Sequence, residues 1–276
     1  MKNLFKLVFI FLLIYLNASC SQKEKISGTA GSETPENIYI LAMQDLDKKN
    51  YDNAKLLFEE IEFYFPLSNE AVQSQIMVAF IEYAKMNYDL AIFKFDRVIN
   101  RYPSHKNIDY AYYMKAMCFF EQIENEYLDG NNNMKALENF NQIINRFPES
   151  KYTRDSEQKI VLIKENIAAK HMNIAMFYLN QEKYLAAMRR YKKVIDYHSK
   201  SKFTPEALHR LVEIYYSLGM TEDAVKTASV IAYNYPNSKW HKFSYELVGP
   251  KDENKVNKKS FFGKITKILT NKDEKE

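Results

Sequence analysis

Five times along this chain an alanine is followed four residues later by a second apolar residue, seven later by a β-branched one, and twelve later by the residue that ends the run. Ala54 leads to Phe58, Ile61 and Pro66, Ala91 to Phe95, Val98 and Pro103, and Ala136 to Phe140, Ile143 and Pro148. Two copies depart from the pattern. Ala187 leads to Tyr191 and Val194 but has Ser199 in the proline slot, and Ala224 keeps Ile231 and Pro236 while Ala228 replaces the aromatic. Offsets of four and seven place these side chains on one helical face, where the small residue lets a neighbouring helix approach closely. Proline cannot continue a helix interior, so it marks the turn. Lys94, off this stripe, is expected on the outer face of the second copy.

A partner helix precedes each copy, because another small or β-branched residue sits twelve positions before most anchors: Ala42, Ala79, Ala175 and Val212. Two helices per unit in this alanine-aromatic-proline order resemble tetratricopeptide repeats. The expected fold is therefore all-α, a tetratricopeptide-repeat solenoid of five helix pairs. Spacings of 37, 45, 51 and 37 between anchors contain two excesses. In the third repeat the small residue is Ala116, and eight extra residues fall around Asp129-Gly130-Asn131-Asn132-Asn133, a loop by composition. In the fourth, fourteen extra residues separate Ala136 from Ala175. No proline or glycine lies between Glu149 and Gln181, which predicts one long first helix. Fourteen residues are close to four turns, so its core-facing stripe is expected to stay in phase.

Lys2 and Lys6 precede an apolar run from Leu7 to Leu16, followed by Asn17-Ala18-Ser19-Cys20. A basic start, an apolar core too short to span a bilayer and small residues at its end make a secretory signal peptide. Cysteine just after the small pair resembles a bacterial lipobox, although Asn17 stands where such sequences carry leucine. That resemblance implies that Cys20 is the lipid attachment site and the mature N-terminus; cleavage by an ordinary signal peptidase is the alternative. Ser21, not aspartate, follows it, which by the same resemblance favours the outer membrane. Residues 20–34 are polar and read as a flexible tether. Pro35 suits a helix N1 position with Thr34 as its cap. Cys118, among Met117, Phe119 and Phe120, reads as a small buried hydrophobe.

Hydrophobic residues make up 46% of the chain and aromatics 14%, ample for a continuous core between repeats. Formal net charge falls from +4 to +2 when the leader's two lysines are removed, too weak a bias to argue for nucleic acid. The five histidines are scattered over different repeats, and the six glycines form no phosphate loop or dinucleotide fingerprint. Neither CxxC nor GxSxG occurs. Acid pairs such as Glu59-Glu60 read as solvated helix faces. No enzymatic activity, metal or cofactor is implied.

At the junction of repeats two and three stands Arg101-Tyr102-Pro103-Ser104-His105-Lys106-Asn107-Ile108-Asp109-Tyr110. Together with Asn37-Ile38-Tyr39, the insertion in repeat three, Arg146-Phe147-Pro148-Glu149-Ser150-Lys151-Tyr152-Thr153 and the Lys159–Lys164 helix segment, this resembles the BamD family, the tetratricopeptide lipoproteins of the β-barrel assembly machinery. The resemblance implies a non-enzymatic, lipid-anchored subunit on the periplasmic face of the outer membrane of a Gram-negative bacterium. Its implied partners are the POTRA domain of a BamA-like barrel, other Bam lipoproteins, and unfolded outer-membrane β-barrel proteins received as substrates. On the substrate side it implies Tyr39, Tyr51, Phe65 and Pro66 in the first repeat, with His105, Asn107, Asp109 and Tyr110 at the junction. Tyr51 and Phe65 could instead seal the first repeat's core, and Asn107 could cap the next helix. On the partner side, Arg190 falls where the family carries an interface arginine, with Arg189 beside it; an ordinary surface role is the alternative.

The expected organisation is a leader at 1–19, a tether at 20–34, and a five-repeat array at 35–240. Its repeats cover about 35–67, 68–104, 105–149, 150–200 and 201–238. Residues 241–276 read as a charged linker and a short segment in which Phe261, Phe262, Ile265, Ile268 and Leu269 follow helical spacing. Lys264 and Lys267 lie opposite, so this segment could rest on anionic lipid, dock on a partner, or cap the last repeat. A periplasmic repeat adaptor for cell-wall synthesis or envelope constriction, of the Tol–Pal-associated type, is the rival reading. Such adaptors resemble this chain less, because they carry a coiled-coil segment ahead of the repeats and usually lack a lipobox.

Overall fold

A computed structural model describes residues 34–123 and 131–249, which form eleven helices and, among the described residues, no strand. Contacts divide the chain into one unit ending at Ala71 and another beginning at Val72.

The first unit holds α1 (Pro35–Asp47), α2 (Tyr51–Tyr64) and the start of α3 (Asn69–Ala84). Thr34 caps α1 as expected: its hydroxyl accepts from the Asn37 N–H at 3.4 Å, and Pro35 occupies the first turn, where a missing N–H costs nothing. Helices α1 and α2 pack through Ala42 and Ala54, both with no exposed surface, so the two backbones come close. Ile38, Phe58 and Ile61 fill the space beside them.

The second unit continues with α4 (Tyr88–Arg101), α5 (Ile108–Glu121), α6 (Asn131–Arg146), α7 (Thr153–Asn180), α8 (Tyr184–Tyr197), α9 (Thr204–Ser217), α10 (Thr221–Asn234) and α11 (Lys239–Val248). From α4 onward each helix packs on the next, and α11 packs on both α9 and α10. The fifteen anchor side chains read from the sequence are all buried, none more than 5% exposed, and their small partners Ala42, Ala79, Ala116, Ala175 and Val212 are fully enclosed. Burying one large apolar side chain contributes about 1.5–3 kcal/mol, so this stripe is a main source of stability for each helix pair.

The turns recur as closely as the core. Inside four of the pairs the first helix ends with one residue in the left-handed region: Lys49 (φ 59°), Met86 (62°), Glu182 (56°) and Gly219 (74°). The following N–H then bonds five residues back, Asn50 to Asp45, Asn87 to Glu82, Lys183 to Tyr178 and Met220 to Tyr215, at 2.8–3.0 Å. This is the Schellman closure of a helix end. The second helices stop at Phe65, Tyr102, His198 and Tyr235, whose φ lies between −127° and −134°. A following proline disfavours helical geometry at three of these positions. His198 takes the same conformation with Ser199 after it, so packing sets the turn where the proline is missing.

Three expectations need correction. Helix α7 is a single 28-residue helix, as its lack of proline and glycine predicts, but its buried stripe does not stay in phase. Ser156, Ile160, Ile163 and Ile167 face the core built by α3 to α6, whereas Ala168, Met172, Ala175 and Leu179 face the core of α8 to α10. The two stripes are offset by twelve residues, a rotation of about 120° at 100° per residue. One helix therefore turns its contact face between two core clusters. Asn131-Asn132-Asn133 is the first turn of α6 instead of loop: the Asn132 amide donates to the Gln122 carbonyl at 3.0 Å and Asn133 is buried. Residues 241–248 belong to α11 and not to a linker, because Ser238 caps that helix and Leu247 and Val248 pack on the α8–α10 core. Lys94, expected on the outer face, is half-buried and outside the core stripe. The leader, Cys20, Asp129, Gly130 and the Phe261–Leu269 segment lie outside the described residues.

Candidate functional site

The junction between α4 and α5 is stitched to its neighbours by its polar side chains. Asn107 stands at the N-cap of α5 without capping it; its amide reaches back to α3, donating to Gln73 Oε1 at 2.6 Å. Its N–H meets His105 Nδ1 at 3.3 Å. Asp109 accepts from the Tyr110 N–H at 2.8 Å and from the Ser150 hydroxyl at 2.6 Å, joining this turn to the equivalent one after α6. Aromatic rings extend the junction: Tyr110 lies 5.5 Å from Tyr152, which stacks on Tyr113 at 4.7 Å. The Tyr113 hydroxyl donates to Asp155 at 2.7 Å. Burial, helped by Lys106, holds the His105 ring below its ordinary pKa, so it favours the neutral form. His105, Asn107, Asp109 and Tyr110 are thus brought together, with Asn107 and Asp109 committed to contacts within the fold.

In the first unit the Tyr39 ring sits edge-on to Phe58 at 5.3 Å. Tyr39, Tyr51 and Phe65 are half-buried, and Pro66 is exposed. Sequence reasoning missed the most accessible apolar residues here. Phe63 is 76% exposed, Tyr64 53% and Leu67 fully exposed, with Ile40 and Leu56 also open to solvent. Phe63 and Tyr64 form an edge-to-face pair at 4.9 Å. Their signal was available, since large apolar residues off the anchor spacing have no core to enter.

On α8, Arg189 is exposed and Arg190 half-buried beside His171 of α7. Burial first, and then the charges of Arg190 and Lys193, hold His171 down to about 4. Its ring lies 6.2 Å from that of His198, which burial and Lys164 also keep low. Among the described residues no cluster of three or more His, Cys, Asp or Glu side chains is placed to hold a metal ion, and no helix is long and apolar enough to cross a membrane. Cys118 is buried as expected, and burial pushes its thiol up to about 12, far from a reactive thiolate.

Paired helices, alanine-lined crossings and stitched turns define a tetratricopeptide-repeat protein, a class that recognises partners over extended surfaces. Residues 32–231 match the family described as Outer membrane lipoprotein, YfiO. The chain is 35% identical over 232 residues to the outer membrane protein assembly factor BamD of Caulobacter vibrioides, covering 84% of this chain and 76% of that one. With BamD of Rickettsia prowazekii it shares 37% identity over 203 residues, 74% of this chain and 81% of the relative. With that of Neisseria meningitidis it shares 28% over 249 residues, 86% and 93% of the two chains. The chain belongs to this BamD family of outer membrane lipoproteins.

Proposed function

We propose that this chain is a non-enzymatic subunit of a β-barrel assembly complex, anchored through acylated Cys20 to the periplasmic face of the outer membrane. It scaffolds a BamA-like barrel by holding its POTRA domain, joins other Bam lipoproteins, and receives unfolded outer-membrane proteins for folding and insertion. The observation that carries this reading is the alignment of 84% and 74% of the chain with two relatives named as outer membrane protein assembly factors. The Tol–Pal-type adaptor reading has no comparable support.

Two surfaces fit the two tasks. Exposed Phe63, Tyr64 and Leu67, flanking Phe65 and Pro66 in the chain, offer aromatic and apolar contacts to an extended, apolar substrate strand, with Tyr39 and Tyr51 elsewhere on the same helix pair. Around Arg190, the neighbouring Arg189, Lys193 and Lys164 make a cationic surface suited to an acidic patch on a POTRA domain. His105, Asn107, Asp109 and Tyr110 hold the junction's shape, and through it any substrate contact made there.

Affinity purification from detergent-solubilised membranes tests the proposal. A BamA-like barrel should co-purify with the chain, and Cys20→Ala should move the protein to the soluble fraction. Recovery of cell-wall synthesis or Tol–Pal components without a barrel would overturn the assembly reading.

A further inference from the structure

Helices α9 and α11 leave an open groove of about 520 Å³ lined by His209, Arg210, Glu213, Trp240, Phe243 and Leu247, with Glu246 beside them. Its walls are firmly built. His209 spans from α9 to α11, with Nδ1 2.8 Å from the Ser244 hydroxyl and Nε2 3.4 Å from Glu213. Arg210 lies over the Trp240 ring at 5.5 Å and pairs with Glu213 at 2.9 Å and Glu206 at 3.4 Å. Trp240 and Phe243 meet edge to face at 5.8 Å, and Phe243 remains 42% exposed. Two carboxylates thus surround Arg210, while among the described residues Glu246 has a distant ion-pair partner, Lys242 at 3.8 Å. An aromatic floor with an acidic margin fits a basic amphipathic segment.

This chain supplies one. It leaves α11 at Val248, adjoining the groove, and twenty-seven residues follow from Pro250 to Glu276. Their large apolar side chains are concentrated in Phe261, Phe262, Ile265, Ile268 and Leu269, with Lys264 and Lys267 interspersed among them. Twelve residues lie between Val248 and Phe261, and the thirteen steps joining them span at most about 45 Å, more than enough to return. A ligand on so short a tether faces its site at an effective concentration of roughly millimolar, which favours it over a partner in solution.

We propose that the Phe261–Leu269 segment of this chain docks in the groove between α9 and α11, seating its aromatic pair against Trp240 and Phe243 and its lysines toward Glu246. The end of the repeat array is then covered by the chain's own C-terminus, and any partner using that groove must first displace it.

Trp240 is the chain's single tryptophan, so acrylamide quenching of its fluorescence reads the groove directly. The comparison is between the full mature chain, a chain ending at Pro250, and a full-length Phe261→Ser/Phe262→Ser variant, with circular dichroism confirming equal helix content. Quenching should rise severalfold in both altered proteins, and a synthetic peptide of residues 257–276 should restore protection to the shortened one. Glu246→Lys should weaken that peptide about tenfold, the effect of reversing a charge at a binding margin. Equal quenching in all three proteins would overturn the proposal. So would protection that appears only with anionic phospholipid vesicles, which would assign the segment to a membrane. Protection lost on dilution, which would assign it to a second copy, overturns it as well.

Discussion

The left-handed turn residues allow a test in which the same physics must act with opposite sign at equivalent positions. Gly219 holds φ at 74° with nothing within 4 Å of the position a Cβ would take, so Gly219→Ala meets no clash. The left-handed conformation still costs a residue with a Cβ about 1–2 kcal/mol. Loss of glycine's freedom in the unfolded chain returns roughly 0.4–1 kcal/mol, leaving a net destabilisation of about 0.5–1 kcal/mol. Met86 holds φ at 62° with its side chain 74% exposed. Met86→Gly therefore gives up little burial, removes the strain, and should stabilise by about 0.5–1 kcal/mol net of the added unfolded-state entropy. In a folded region of this size each change corresponds to a melting shift of roughly 1–4 °C. Thermal and urea unfolding followed by helical dichroism read both. Because the two turns share no contacts, the double variant should return close to the parent protein. Shifts of the same sign at the two positions would refute the reasoning, showing that contacts at the turn outweigh backbone conformation.

Ala91→Leu, at a fully enclosed helix crossing, should cost on the order of 1–3 kcal/mol by overpacking, whereas the same change at exposed Asn100 should be near neutral; equal losses of thermal stability would contradict the assigned packing. His171 is held from its ordinary 6.5 down to about 4, so the fold favours its neutral form. That contribution is fully present above pH 6.5 and is lost as pH falls toward 4, about 2 kcal/mol after allowing for water at its half-open edge. His171→Gln should flatten the urea midpoint between these pH values, and an unchanged slope would reject His171 as its source. Arg190→Glu should weaken binding to an isolated BamA-like POTRA domain by roughly 2–5 kcal/mol, the cost of breaking a desolvated charge pair, without loss of helix content. Unchanged affinity would move the contact to Arg189, about 100° around the helix.

Local periodicity carried the register of this protein. Alanine at the anchor with apolar residues four and seven later can bury only one helical face, so the stripe from Ala54 to Ile231 was legible before any contact was seen. Thr34, Pro35 and the prolines after the second helices are equally local, because each acts on the backbone within a few residues. The BamD kinship was legible too, in the stretch from Arg101 to Tyr110 and the long fourth-repeat helix. Tertiary packing decided what local rules leave free. Nothing in the α7 sequence says that Ile163 and Ala175 must face different cores, since both stripes satisfy helical spacing; the neighbouring helices select where the face turns. Asn131–Asn133 became helix because Asn132 found the Gln122 carbonyl and Asn133 a buried place, partners invisible to composition. Asn107 reached Gln73 in preference to its own helix end, and Trp240 acquired His209 and Arg210 from thirty residues away. Such contacts depend on chain segments far apart in sequence, which is why only the folded arrangement distinguishes a junction-holding polar residue from one free to meet a partner.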